Sequence, residues 1–258
     1  YYKLLKIDRK IDFYLGFPKA DADLIEKGVD SAKLVDWSYH AVDTNKFFPL
    51  ELNKNILTRN KLGIDQNSLT IGWVGRLEQK NQCTSTLLLG KALLDRGFRS
   101  FMLVFVGGGA WINGEEDTSF VKKFKQHAID LGLSDHIIFT GWVDYEEVNA
   151  YLNIMDIVPM LESDPAGGSI LREAMSCGKV ALSVLGKSRM QEAFMHPSNS
   201  ILVSDIDFVE KAAIEIIQLS QDSIKMKMLG ENARRYCEDN LSFGKQAADI
   251  KALIDNSF

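Results

Sequence analysis

Residues 162–180 read ESDPAGGSILREAMSCGKV and bring two glycines, a serine and a glutamate close together. The apolar spacing predicts a helix over 168–178 that Gly178 closes. A helix N-terminus has unpaired N–H groups and a partial positive charge, so it takes an anion readily. Gly167 and Gly168 let a ligand reach that backbone. Ser169 adds a hydroxyl, and Ile170 belongs to the same helix mouth. Glu173 follows Ser169 by four residues, which puts it on the same face, about 6 Å along the axis. Phosphate at the mouth and a vicinal diol on the carboxylate describe a nucleoside diphosphate with its ribose. The same residues also suit a plain glycine-containing helix start with a solvated glutamate.

A second group sits in GWVGRLEQKN, residues 72–81. Gly75 ends an apolar run, and Arg76 and Lys80 follow it. Cations at the C-terminal end of a parallel strand point into the crevice where such folds bind ligands. There they can neutralise a diphosphate and stabilise it as a leaving group. As a lone pair they fit solvated surface charges equally well. The triplet in FVGGGAW, 105–111, is not the GxGxxG fingerprint and reads as a strand-to-helix loop. The acidic pairs in DAD (21–23) and DID (205–207) read as helix-surface and helix-start residues, not metal ligands.

Positioning these groups takes a repeated strand-and-helix unit. Strands are expected over 69–77, 101–109, 136–143, 156–161, 179–184 and 199–205. Helices are expected over 83–97, 118–133, 145–155 and 168–178, with Thr118 or Ser119 capping the second of them. Amphipathic helices alone follow, over 208–220, 223–240 and 245–255. This order predicts an α/β, Rossmann-like parallel sheet with helices on both faces. Continuous apolar strands such as FMLVFV suit a sheet covered on both sides. The first forty residues read as strand, helix and strand, too little for a domain. AVDTNKFFPL, 41–50, reads as a linker, with Asp43 and Thr44 in a turn.

Composition narrows the partners. The net charge is −5 over 258 residues, against the basic stripe a nucleic-acid partner requires. Three separate cysteines and four scattered histidines give no disulfide framework or metal spacing, which suits a reduced cytoplasmic protein.

In order along the chain, these pieces resemble the C-terminal half of the retaining group 1 glycosyltransferases (glycosyltransferase family 4, GT-B fold). The likeness runs from about 35 to 255 through HAVDTNKFFPL, IGWVGRLEQKN, FVGGG, HIIFTGWVDYEEVNAYLNIMDIVPML, GGSILREAMSCGKVALSV, GKSRMQE and NARRYCEDNLSFGKQAADI. It implies a donor-binding half that moves a sugar from a UDP-, GDP- or ADP-sugar to an acceptor hydroxyl with retained configuration. No metal or other cofactor is expected. By this resemblance Gly75, Arg76 and Lys80 hold the diphosphate. Gly168, Ser169 and Ile170 meet a phosphate, Glu173 holds the ribose, and the base lies near Gly141 to Val143. Arg76, Lys80 and Glu173 carry the catalytic role.

The family places a second glutamate where this chain has Pro165, and the Arg76–Lys80 spacing is one residue short. Pro165 favours an alternative, a non-catalytic binding or accessory module of the same fold. The resemblance also divides the chain into a remnant of an acceptor domain (1–40), the nucleotide-sugar domain (41–241) and a crossover helix (242–258). A missing N-terminal domain would then bind a glycan, lipid or protein acceptor and make any peripheral membrane contact. The chain is read as a fragment that does not transfer sugar alone.

Overall fold

The computed structural model describes residues 14–16, 25–36, 41–78, 83–112, 114–161, 169–185 and 195–255. Lys80, Pro165, Gly168, the DAD triplet and GKSRMQE lie outside these residues. Two short strands, β1 (Tyr14–Gly16) and β2 (Leu34–Asp36), pair in parallel as a separate sheet.

The main sheet contains β3 (Leu69–Val74), β4 (Phe101–Val106), β7 (Ile137–Gly141), β8 (Ile157–Met160), β9 (Val180–Val184) and β10 (Ser200–Val203). All its pairings are parallel, in the order β10-β9-β8-β3-β4-β7. The α/β Rossmann-like expectation therefore holds. β4 explains its own unbroken apolar run. Phe101, Leu103 and Phe105 enter one core, while Val104 and Val106 enter the other. Successive side chains point to opposite faces, and both faces are covered.

Helices α2 (Thr84–Asp95), α3 (Ser119–Asp130) and α6 (Phe208–Ser220) supply the first core through Leu87, Leu93, Phe124 and Ile216. Helices α4 (Val148–Ile154) and α5 (Ser169–Ser176) supply the second through Leu152, Leu171 and Met175. Helix α7 (Ser223–Tyr236) runs into a π-helical turn, Cys237–Leu241, and then α8 (Phe243–Asp255). The expected 223–240 helix thus changes pitch at Cys237, where the buried Cys237 and Leu241 both join the second core.

Four local readings change. Helix α1 (Leu52–Lys61) was not expected, because LNKNILTRNK is mostly polar. It is held by Arg59, which turns inward to backbone carbonyls. An antiparallel hairpin, β5 (Ala110–Ile112) with β6 (Glu115–Asp117), occupies the predicted loop after β4. Neither Thr118 nor Ser119 caps α3 through its side chain. Asp117 does so instead, its carboxylate accepting Ser119 N–H at 2.9 Å. Hydrogen bonds from the Ser119 hydroxyl and N–H hold the Asp117 carboxyl below its ordinary pKa.

The fourth change concerns the linker. Asp43 makes the expected turn, accepting Asn45 N–H at 3.0 Å and Lys46 N–H at 3.1 Å. The remainder is a strap docked on the second core. Phe47 is only 1% exposed. Its carbonyl accepts the Ser176 hydroxyl at 2.6 Å and Arg234 Nη1 at 2.8 Å. Buried Asn153 accepts Leu50 N–H at 2.8 Å and donates to Phe48 O at 2.9 Å. Val42 N–H reaches Leu241 O at 2.8 Å. Backbone groups this close to a core must be paired, and the asparagines and Arg234 supply the partners.

Candidate functional site

The strand order reverses between β3 and β8. From β3 the chain moves outward to β4 and β7, then returns to β8 and moves the other way to β9 and β10. Sheets of this kind bind ligands outside the carboxyl ends of the strands at such a switch point. Two of the predicted groups flank it. Gly75 and Arg76 follow β3, and α5 begins in the connection after β8.

The backbone at this edge is drawn tight. Gly75 N–H donates to Val106 O at 2.9 Å, Leu77 N–H to Gly108 O at 2.7 Å, and Gly107 N–H to Gly141 O at 3.0 Å. The loops after β3, β4 and β7 therefore form one hydrogen-bonded row. Gly107 has φ 134°, and a Cβ there would lie 2.0 Å from Gly75 O. A Cβ at Gly108 would strike Trp142 and Glu116, and one at Gly109 would strike Asp117 O. The triplet lets neighbouring chain approach, which is a packing role. Buried Leu77 anchors the loop that carries Arg76. The Arg76 side chain is 50% exposed, and its Nε lies 3.4 Å from Glu78 Oε1.

On α5, Leu171, Ala174 and Met175 are buried in the second core. This leaves Ser169 exposed and Glu173 half-buried in the same helix. Burial pushes the Glu173 carboxyl up to about 7, against the pull of Arg172 and Lys46. The fold therefore favours protonated Glu173. Its stabilising effect is complete below about 4.5 and is lost as pH rises through about 7.

Residues distant in sequence complete this surrounding. The Lys46 ammonium lies 3.7 Å from the Tyr145 ring centroid and 2.6 Å from Glu146 Oε1. Phe47 meets the same ring edge-on at 6.0 Å. Tyr145 is 59% exposed, and burial together with the Glu173 charge raises its hydroxyl above 10.0. Lys46 and Tyr145 were missed because no local spacing places either of them beside Glu173. The docked strap brings the lysine in. Val143 turns into the second core, while Trp142 stays exposed against Gly108. The candidates Gly75, Arg76, Gly141, Val143, Ser169, Ile170 and Glu173 thus lie on the loops and helix at the carboxyl edge of the sheet.

A doubly wound sheet with Gly75, Arg76 and the start of α5 beside its switch point has the layout of an α/β domain that binds a small ligand at the carboxyl edge. Residues 55–236 match the family model "Glycosyl transferases group 1", and the chain belongs to that family. It is 26% identical over 256 residues to an uncharacterised glycosyltransferase of Methanocaldococcus jannaschii, covering 96% of this chain and 59% of that protein. It is 23% identical over 221 residues to a GDP-mannose-dependent alpha-(1-6)-phosphatidylinositol monomannoside mannosyltransferase of Mycolicibacterium smegmatis, covering 83% and 54%. The chain thus spans less than two thirds of the length of these relatives. Among solved structures, Anabaena HepE in complex with UDP superimposes with a TM-score of 0.76 at 19% identity, covering 95% of this chain and 64% of that one. Its structural neighbours are GT-B glycosyltransferases. Among the described residues, no helix is long and apolar enough to cross a membrane.

Proposed function

We propose that this chain is the donor-binding half of a retaining glycosyltransferase that moves a hexosyl group from a nucleotide-sugar to an acceptor hydroxyl. The observation that carries this reading is that Gly75–Arg76 and the start of α5 flank the reversal of strand order between β3 and β8. In the reaction, the bond from the anomeric carbon to the diphosphate oxygen breaks, and its electrons leave with the nucleoside diphosphate. The acceptor oxygen bonds the same carbon, and its proton passes to the departing diphosphate oxygen. Arg76, Lys80 and the α5 N–H groups stabilise the departing charge, a role that calls for no metal. Ionised Glu173 accepts the ribose hydroxyls, and the base lies along Gly141–Val143. The acceptor belongs to a further domain, so this chain alone binds donor without transferring sugar. The same reading carries a cytoplasmic location.

Calorimetric titration with UDP, GDP and ADP tests this and names the base. Glu173→Ala is expected to weaken the preferred ligand by about 1–3 kcal/mol, the value of hydrogen bonds to a charged group. Unchanged affinity with an intact fold would remove Glu173 from the site.

The raised Glu173 carboxyl gives a separate prediction. A nucleotide-sugar has no diphosphate proton to lose between pH 6 and 8, so its affinity reports on the protein. If only the carboxylate accepts the diol, binding weakens by up to about tenfold from pH 8 to pH 6. Glu173→Gln should flatten that profile, and an equally steep profile in the variant would assign the proton elsewhere.

A further inference from the structure

The opposite end of the sheet has its own cleft, of about 640 Å³. It opens between α1, the α5–β9 turn and one face of α7, at the amino ends of the strands. Lys179, Lys227, Arg234 and Arg235 line it against Glu231 and Glu238, four positive charges against two negative. The net positive lining contrasts with a chain whose overall charge is −5.

These charges are not equally committed. Arg234 is spent on the carbonyls of Thr44, Phe47 and Ser176 and on Glu238 at 2.6 Å. Among the described residues Lys227 pairs with Glu231 at 3.7 Å, an exposed pair of the kind that contributes little. Among the described residues, Arg235 has no carboxylate partner. Lys179 forms part of the lining, held by Asn153 O at 2.6 Å. Its ammonium is disfavoured by burial, although Asp156 supports it, so an arriving anion would gain a second supporting charge there. Asn55 also lines the cleft.

We propose that this cleft is a second ligand site, which binds a phosphate monoester through Lys179, Lys227 and Arg235. A smaller hollow of about 230 Å³ shares Lys179 and Lys227 and adds Ser223 at the start of α7, together with Asp156, the counter-charge of Lys179. The donor groups lie at the carboxyl ends of the strands, so the two sites occupy opposite edges of the sheet. The monoester could belong to a soluble metabolite or to a lipid headgroup. Exposed Ile224 and Met228 on α7 make the second source worth testing.

The test is amide-resolved NMR on the chain, titrated with inorganic phosphate and with glycerol 3-phosphate. Chloride at matched ionic strength is the control. Saturable shifts are expected at Gly178, Lys179, Lys227 and Arg235. Lys227→Ala with Arg235→Ala should weaken phosphate by about tenfold, roughly 1.4 kcal/mol. The same double variant should leave shifts at Gly75 and Ser169 on adding UDP as they are in the parent. Shifts that chloride reproduces, or a double variant that binds phosphate as tightly as the parent, would overturn the site. Neither result touches the nucleotide reading, because the reporting amides differ. Sedimentation with phosphatidic acid vesicles but not phosphatidylcholine vesicles, lost in the double variant, would name a lipid source. Saturable phosphate binding without sedimentation would name a soluble one.

Discussion

Arg59→Met is expected to destabilise the chain by about 3 kcal/mol at neutral pH. Arg59 is buried, and its guanidinium serves the amino end of the sheet. Nη1 donates to Ile154 O at 3.2 Å and Nη2 to Asp65 O at 2.9 Å, with a further bond to Ser68 O. These carbonyls fix α1 and the turn into β3 against α4. Methionine fills the space but leaves the acceptors unpaired. It also removes a counter-charge from Asp156, whose Oδ2 lies 3.8 Å from Nη1. Asp156 keeps Thr70 N–H at 2.7 Å and the nearby Lys179 charge. Its side chain is 33% exposed, which places the loss at the lower end for a broken buried pair.

The pH dependence of that loss separates its two parts. Burial already raises the Asp156 carboxyl above its ordinary value, so the fold favours its protonated form. This contribution is complete below the ordinary carboxylate range and is lost as pH rises through the raised value. Without Arg59 the carboxyl rises further, so the penalty on the ionised form grows. Chemical denaturation at pH 7 should therefore show a larger deficit than at pH 4.5. The remainder at low pH belongs to the unpaired carbonyls. An equal deficit at both values would mean that the Arg59–Asp156 charge pairing contributes nothing.

The sequence was most informative where one residue pattern has one physical meaning. FMLVFV can be buried on both faces only within a covered sheet, and β4 is such a strand. FVEKAAIEIIQLS is helical from Phe208 to Ser220, as its spacing indicates. Ser169 and Glu173 share one helix because both lie within a single amphipathic run. The failures have a common cause. α1 is joined to α4 by Arg59 reaching Ile154 O, far along the chain, and no local spacing encodes that. The β5–β6 hairpin has three-residue strands and depends on contacts with Gly108 and Gly109. Lys46 stands beside Tyr145 because Asn149, Asn153 and Arg234 dock the strap. Local pattern revealed the elements and the two motifs at the switch point. Long-range pairing decided which other side chains stand around Glu173.

Gly107→Ala tests whether the carboxyl-edge row positions the candidate site, and its expected loss is about 3 kcal/mol or more. Two penalties add. At φ 134° an L side chain is strained, and its Cβ would lie 2.0 Å from Gly75 O. That oxygen belongs to backbone, not to a flexible side-chain end, so relief requires moving a strand end. Gly75 N–H is tied to Val106 O at 2.9 Å and Gly107 N–H to Gly141 O at 3.0 Å, so any movement breaks the row. Gly132→Ala is the matched control. Its φ of 75° is also unfavourable, but a Cβ there meets nothing within 4 Å. The control should lose about 1–2 kcal/mol, from backbone conformation alone. Melting temperatures should drop by roughly 6–12 °C for Gly107→Ala and clearly less for the control. The ligand readout should separate the two further. Displacing Gly75 also displaces Arg76, so Gly107→Ala should weaken nucleoside diphosphate binding at temperatures where it remains folded. Gly132→Ala should bind as the parent does. Equal melting and equal affinity in both variants would mean that the contact of Gly107 with Gly75 neither stabilises the edge nor positions Arg76.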